Sequence, residues 1–372
     1  MSDLGGIDIR LRQAGPIQLD VDLACGLGQV LALVGPSGSG KSTILRSVAG
    51  LYQPAEARVS CNGRVWVDSG RGVRLPVRQR PVGMVFQSYA LFPHLSALAN
   101  LMAAMDHLPA GQRAQRARDL LSLVNLPGLE DRRPHQLSGG QQQRVAVARA
   151  LARNPKVLLL DEPFSAVDRA TRERLYVELA ELRGKLGIPI LLVTHDLDEA
   201  SQLADQVCII HHGRTLQTGP PSEVRTKPLN LTVARLVNIK NVFTAKVAGH
   251  TMEDGQTVLD WRGSELKVSL HEQFSVGDEA AWCVSTTSIL LVEGSPPGQP
   301  VEDNQLRVTL AGLVFVGDMV RLTLTVPGGE DECLFAAVPL HQVQRLGLRP
   351  RQEVTVSLPC GSIHLMPAPA KK

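Results

Sequence analysis

A chain of 372 residues, 44% of them apolar, is long enough for two domains and rich enough in apolar side chains to give each a core. Lys and Arg exceed Asp and Glu by only 39 − 36 = 3, too mild an excess to argue for nucleic acid as a partner. The six cysteines form no C-x-x-C pair and read as free, mostly buried thiols of a reducing compartment. The N-terminus lacks signal-peptide character and no run approaches 18 apolar residues, so a membrane role is expected to come through a partner.

Residues 7–34 alternate apolar and polar positions, with breaks at Gly15-Pro16 and Gly26-Leu27-Gly28. They read as two or three antiparallel strands leading into a short buried strand, Val30–Val34. Next comes Gly35-Pro36-Ser37-Gly38-Ser39-Gly40-Lys41-Ser42-Thr43, which fits G-x-x-x-x-G-K-[ST], and then a helix ended by Gly50. Strand, glycine loop and helix together are the context of a phosphate-binding loop. The glycines let backbone N–H groups turn inward around a phosphate, and the helix aims its positive end at it. Lys41 adds a point charge for the β- and γ-phosphates, and the Ser42 hydroxyl suits Mg²⁺.

Further along, Ala57–Val67 reads as β structure turning at Asn62-Gly63, and Asp68–Arg80 as a polar loop. Val82–Phe86 is an apolar strand with Gln87 at its end. The pattern from Leu98 to Leu126 is helical. Leu137-Ser138-Gly139-Gly140-Gln141 opens a helix running to about Arg153, and Ser138 and Gln141 have capping-box spacing. Val157–Leu160 is a second buried strand, ending at Asp161-Glu162. A leucine stripe (Leu175, Leu179, Leu182, Leu186) marks a helix closed by Gly187. A third buried strand, Ile190–Val193, ends at Thr194-His195, and Asp196 and Glu199 have N-cap and N3 spacing for another helix. Strands alternating with helices predict a mainly parallel sheet with functional residues at the carboxyl ends of its strands.

After about Leu236 short alternating strands dominate, with little helical pattern. Residues 277–292 resemble residues 351–366, and Ser295–Pro300 reads as a linker between the copies. This predicts a small β-barrel domain built twice.

ATP hydrolysis needs a cradled triphosphate, a metal and a positioned water. Asp161 ends a strand, the usual place for an acid holding Mg²⁺ through water, and Glu162 beside it could orient or deprotonate the attacking water. Taken alone, such a pair also suits a helix N-cap. Gln87 could coordinate Mg²⁺ and sense the γ-phosphate, or be an ordinary loop residue. His195 could hydrogen-bond the γ-phosphate, or be a strand-end core histidine.

Taken together, these residues resemble the ABC transporter ATPases. Leu137–Gln141 is similar to the family's signature peptide, Ser165-Ala166-Val167-Asp168 to its D-loop, and His195 stands where its switch histidine stands. The resemblance covers residues 1–235. It implies an α/β P-loop NTPase of ABC type, with a mixed sheet core and a helical subdomain, followed over 236–372 by an all-β, OB-like barrel domain. It implies Glu162, His195 and Lys41 as catalytic residues, and Ser42, Gln87 and Asp161 as the Mg²⁺ site. ATP would be held by Gly35–Thr43 and Gln87 of one chain and by Ser138, Gly139, Gly140, Gln141 and Asp168 across a head-to-tail homodimer. The family often stacks adenine on an aromatic residue before the P-loop; here the first aromatic is Tyr52, after it.

A single ATPase domain with a β tail resembles the ATPase subunits of bacterial importers. Such a subunit sits on the cytoplasmic face of the inner membrane, binds permease subunits, and serves a periplasmic or surface substrate-binding protein. Asp68-Ser69, Gly72, Leu75-Pro76, Arg80 and Leu91-Phe92-Pro93-His94-Leu95 resemble the molybdate importers. The tail resembles paired domains that bind oxyanions in relatives, with Ser285–Ser288 and Cys360–Ser362 in matching places. Molybdate is the expected cargo, with ferric iron, sulfate or thiosulfate, and polyamines as alternatives. A repair or translation ATPase would need a coiled-coil insertion or a second P-loop; a stand-alone oxyanion-responsive regulator is the remaining class.

Overall fold

The structure, a computed structural model, describes residues 5–165, 167–292, 304–327 and 332–368. The presumed linker Ser295–Pro300, and Ala166 of the D-loop-like segment, lie outside the described residues. Compactness divides the chain into two units, Met1–Ser222 and Glu223–Lys372.

In the first unit, β1 (Gly6–Gln13) and β2 (Leu19–Gly26) bury alternate residues, as half-covered antiparallel strands do, and pair in register from Gly6↔Gly26 to Gln13↔Leu19. β3 (Val30–Val34) is buried at every position and leads through the glycine loop into α1 (Lys41–Ala49). β4 (Glu56–Cys61) and β5 (Arg64–Asp68) form a hairpin in which Asn62 (φ 48°) and Gly63 (φ 76°) both take the left-handed conformation a tight hairpin turn needs. The short β6 (Val73–Arg74) and β7 (Val82–Val85) follow.

The helical region is not continuous. It consists of α2 (Ala97–Met102), α3 (Ala110–Leu123) and α4 (Gly139–Leu151). Pro109 stands at the start of α3, because proline lacks the N–H that a helix interior needs. Asn125, at φ 56°, turns the chain just after α3. β8 (Val157–Asp161), α5 (Arg169–Leu186), β9 (Ile190–Thr194), α6 (Leu197–Leu203), β10 (Gln206–His211) and β11 (Arg214–Gly219) complete the alternation. The sheet order is β6-β5-β4-β1-β2-β11-β10-β3-β9-β8-β7, a mixed sheet with parallel pairing from β10 through β7.

Register decides what meets at the strand ends. Val34 pairs with Thr194, Asp161 with Val193, and Val85 with Leu160. The chain therefore leaves β3, β7, β8 and β9 along one sheet edge, and the segments starting at Gly35, Phe86, Glu162 and His195 emerge side by side.

A short helix, α7 (Pro221–Thr226), spans the division, and α8 (Leu231–Leu236) belongs to the second unit, where Ala234 is buried with Ala281, Cys283 and Met366. The first copy of the repeat contributes β12 (Asn241–Thr251), β13 (Gln256–Trp261), β14 (Ser264–Ser269), β15 (Glu279–Val284) and β16 (Leu290–Val292). The second contributes β17 (Gln305–Val316), β18 (Met319–Thr325), β19 (Cys333–Pro339), α9 (Leu340–Leu346), β20 (Glu353–Ser357) and β21 (Ile363–Pro367).

The copies do not form two separate barrels. Their sheets run β14-β13-β12-β15-β21 and β16-β20-β17-β18-β19, so each copy hands its last strand to the other. One core lies between them, with Leu259, Trp261 and Trp282 from one sheet and Leu310, Leu322 and Leu334 from the other. Helix α9 departs from the expected all-strand texture; at seven residues it is too short to show a helical period.

Two buried asparagines repeat the symmetry. Asn241 donates to the carbonyls of Val284 (3.3 Å) and Phe335 (2.8 Å) and accepts from Phe335 N–H (2.7 Å). Asn304 donates to Lys267 (2.7 Å) and Leu358 (2.9 Å) and accepts from Lys267 N–H. Each ties one copy to the third strand of the other. Asn241→Leu leaves two buried carbonyls and one N–H without their partner. We expect it to lower unfolding stability of the second unit by roughly 2–4 kcal/mol, read by urea unfolding followed through tryptophan fluorescence, all three tryptophans but Trp66 lying there.

Candidate functional site

The glycine loop is shaped for an anion. Gly38 (φ 79°) and Gly40 (φ 96°) are left-handed, and a Cβ on Gly35 would stand 2.0 Å from the carbonyl oxygen of Ile210. The Ser39 N–H is spent on Pro36 O (3.2 Å). The N–H groups of Gly38, Gly40, Lys41, Ser42 and Thr43 have no hydrogen-bond partner among the described residues. A cradle of unspent donors at a helix start fits phosphate oxygens. Lys41 is buried, and its ammonium donates to Gly35 O (2.7 Å) and Pro36 O (2.9 Å). Burial lowers its pKa, opposed by the charges of Glu162 and Asp161.

Ser42 donates from Oγ to Asp161 Oδ1 at 2.8 Å, so the start of α1 and the end of β8 meet. Asp161 is buried, and desolvation raises its pKa despite the Ser42 bond. A hydroxyl, a carboxylate and the nearby Gln87 amide are hard oxygen donors, the set that suits Mg²⁺.

Glu162 is where the other strand ends converge. Gln87 Nε2 donates to Glu162 Oε2 (3.3 Å), and His195 Nδ1 lies 3.6 Å from the same oxygen. The Glu162 backbone is left-handed (φ 45°), held by its N–H to Val193 O (3.0 Å) and by Ser165 Oγ donating to its carbonyl (2.9 Å). A non-glycine residue in that region stores of order 1–3 kcal/mol, and such strain clusters at functional sites.

The remaining predicted residues sit elsewhere in the unit. Ser138 and Gln141 form the expected capping box, Gln141 N–H to Ser138 Oγ (3.3 Å) and Ser138 N–H to Gln141 Oε1 (2.9 Å). Ser138 is exposed and Gly140 is buried, where a Cβ would stand 2.8 Å from Thr171 Cγ2. Asp168 is the N-cap of α5, accepting from Thr171 N–H (3.0 Å), which lowers its pKa. No hydrogen bond or ion pair joins Ser138–Gln141 or Asp168 to the glycine loop among the described residues. Tyr52 packs against the apolar core of the first unit, and its hydroxyl accepts from Gln13 (2.7 Å).

Several contributors escaped sequence reasoning. Tyr89 and Ala90, just after Gln87, are both left-handed (φ 58° and 49°). Arg149 of α4 donates to their carbonyls at 3.1 and 2.8 Å and stacks 5.5 Å over the Phe92 ring. Tyr89 is buried, with its hydroxyl on Pro163 O (3.3 Å), while Phe92 is 45% exposed. Glu199 does not complete a capping box: Asp196 caps α6, and the Glu199 carboxylate turns inward and is buried. The turn at Tyr89-Ala90 and the inward turn of Glu199 both depend on partners far along the chain, so neither arrangement shows in the sequence.

In the second unit the turns expected to hold an oxyanion use their own hydroxyls. Ser285 Oγ accepts from Thr287 N–H (3.4 Å) and lies 3.0 Å from Thr287 Oγ1. Ser362 Oγ donates to Pro359 O (2.7 Å).

Gly35→Ala should force the loop away from Ile210 and weaken nucleoside triphosphate binding about tenfold or more, measured by titration with a fluorescent analogue.

Residues 19–165 match the family model described as ABC transporter. Over 325 residues the chain is 40% identical to the Fe(3+) ions import ATP-binding protein FbpC of Streptomyces coelicolor, covering 86% of each. It is 37% identical over 344 residues to the spermidine/putrescine import ATP-binding protein PotA of Nitratidesulfovibrio vulgaris, covering 91% of this chain and 90% of that one. The putrescine transport ATP-binding protein PotG of Escherichia coli is 39% identical over 281 residues, 74% of this chain and 72% of the relative. Among solved structures, cbiO1 of Clostridium perfringens, part of the ABC transporter complex cbiONQ, superposes with a TM-score of 0.53 at 28% identity, covering 59% of this chain and 90% of that one. Fold, site and relatives agree: the chain belongs to the ABC transporter family, as the ATP-hydrolysing, ATP-binding subunit of an importer.

Proposed function

We propose that the chain drives import of ferric iron or a polyamine through a separate membrane permease, with Glu162 at the centre of ATP hydrolysis. The observation that carries the catalytic part is the convergence of Gln87 and His195 on one carboxylate oxygen of a backbone-strained Glu162. The cargo is proposed from the relatives, whose names specify iron and polyamines. They favour these cations over molybdate.

In this reading the unspent N–H groups of the glycine loop hold the β- and γ-phosphates, and Lys41 leaves its loop carbonyls to add charge there. Ser42, Asp161 and Gln87 hold Mg²⁺, which neutralises charge on the phosphates when bound. Glu162 accepts a hydrogen bond from the attacking water and takes its proton, while His195 donates to the γ-phosphate oxygens. Gln87 and the strained turn after it report the change to the permease, with Phe92 as the exposed contact.

A second copy completes the site. The Gly139 and Gly140 N–H groups at the start of α4 have no partner among the described residues, and a 13-residue helix presents an anion-binding end there. That end, with Asp168, faces the nucleotide of the partner chain in a head-to-tail homodimer. Among the described residues no helix is long and apolar enough to cross a membrane, so attachment to the inner face is assigned to the permease.

Glu162→Gln should keep ATP binding and lower turnover by about 10²-fold or more, measured by phosphate release. Near-normal turnover would remove Glu162 from the role. Mixing Lys41→Ala with Ser138→Arg chains should restore part of the activity absent from either alone, since one mixed site is intact. For the cargo, a deletion strain should grow poorly on limiting iron or fail to take up labelled putrescine. Normal behaviour in both with poor growth on limiting molybdate would reverse the assignment.

A further inference from the structure

Behind Glu162 and His195 lies a polar recess of about 70 Å³, lined by Glu162, Ser165, Arg172, Thr194, His195 and Glu199 among others. Its mouth is formed by His195, 59% exposed, and by Glu162. Its floor holds two groups that the site as described above does not use. Glu199 is 6% exposed, and its Oε1 has no hydrogen-bond partner among the described residues. The buried Arg172 Nε likewise has none. The other bonds of these groups are made: Thr194 hydrogen-bonds the Glu199 carboxylate, and Arg172 donates from Nη2 to Val167 O (3.1 Å) and hydrogen-bonds the Tyr176 hydroxyl. An acceptor and a donor without partners therefore line the same small polar space.

Leaving a buried charged group unsatisfied is costly, whereas a water in a polar recess of this size finds the two to four partners it needs. We propose that ordered water in this recess bridges Glu199 Oε1 to Arg172 Nε, and that Glu199 and Arg172 are positioning residues for ATP hydrolysis.

The bridge joins two segments that must keep register. Glu199 lies on α6, four residues after His195. Arg172 lies on α5, in the turn capped by Asp168, and holds the Val167 carbonyl. Linking them fixes His195 against the start of α5 and closes the back of the space into which Glu162 points. The groups facing Glu199 are Glu162 and Ser165 from the segment after β8, Thr194, His195 and Asp196 from the end of β9, and Arg172 and Tyr176 from α5. Burial, with the neighbouring Asp196 and Glu162 charges, pushes the Glu199 carboxyl up to about 7 against the Thr194 bond and Arg172. A raised carboxyl favours the folded state in its protonated form, so this stability is lost as pH rises from the ordinary carboxylate range through about 7. Replacing Glu199 by its neutral isostere removes that loss.

The inference rests on Glu162 and His195 forming the hydrolytic site, and Glu162→Gln is the control for that reading. Glu199→Gln should lower kcat about tenfold with KM for ATP changed less than twofold, because the nucleotide cradle is untouched. Its Tm at pH 8 should equal or exceed that of the unmodified chain, with the gain absent at pH 5. Arg172→Ala should lower kcat similarly, and the double variant should be no slower than the slower single one. A crystal structure should show water within hydrogen-bond distance of both Oε1 and Nε. Unchanged kcat in Glu199→Gln beside an inactive Glu162→Gln overturns the inference and leaves the site reading intact. Additive losses, or a fall in Tm at pH 8 that accompanies the loss of kcat, would make Glu199 a structural residue and overturn it too. An active Glu162→Gln would instead remove the site on which it rests.

Discussion

The register of the parallel ladder β7-β8-β9-β3 is the constraint on which the site depends. β3, β8 and β9 are buried at every position and β7 at alternate ones, so a slip of one residue would misplace apolar side chains packed on the sheet. Because neighbouring strands end within one position of each other, the chain must leave all four at nearly the same level. Ser42 then reaches Asp161, and Gln87 and His195 reach Glu162, without any of these contacts having to order the loops alone. The apolar ladder supplies the stability, and the polar ends are free to hold strain such as the left-handed Glu162.

What could be read from the sequence follows from how local each signal is. The glycine loop and the Ser138–Gln141 capping box depend on residues within a few positions, and each is found where expected. The strand–helix alternation is as legible, since buried strands appear as apolar runs. Glu199 shows the limit. Its spacing to Asp196 fits a capping box, but the choice between capping the backbone and turning inward is made by Arg172 and Thr194, which the local pattern does not contain. The helical pattern over 98–126 likewise did not show where one helix ends and the next begins, after Pro109. Cargo was least legible: the residues around Gln87 resemble molybdate importers, while the relatives' names specify iron and polyamines.

The turn at Tyr89-Ala90 belongs with Glu162 as a second place where strain is held by distant partners. Two successive non-glycine residues at positive φ are unstable on their own, of order 1–3 kcal/mol each. Arg149 caps both carbonyls from α4, and Tyr89 ties the same turn to Pro163, next to Glu162. Helix α4 and the segment that follows β8 therefore grip one loop from two sides. Losing either grip removes the reason for its conformation.

The second unit solves a different problem by exchange. A sheet of four short strands covering one face would expose both the other face and an edge, and each copy of the repeat is such a sheet. Passing the fifth strand to the opposite sheet makes each copy complete the other's edge, and Asn241 and Asn304 lock the same exchange with buried bonds. Neither copy can bury its half of the core without the other, since Trp261 and Trp282 pack into a cluster that includes Leu322 and Leu334. The repeat in the sequence is thus one cooperative unit in the structure, and a weak match over sixteen positions, 277–292 against 351–366, was the visible part of a symmetry that runs through all ten strands.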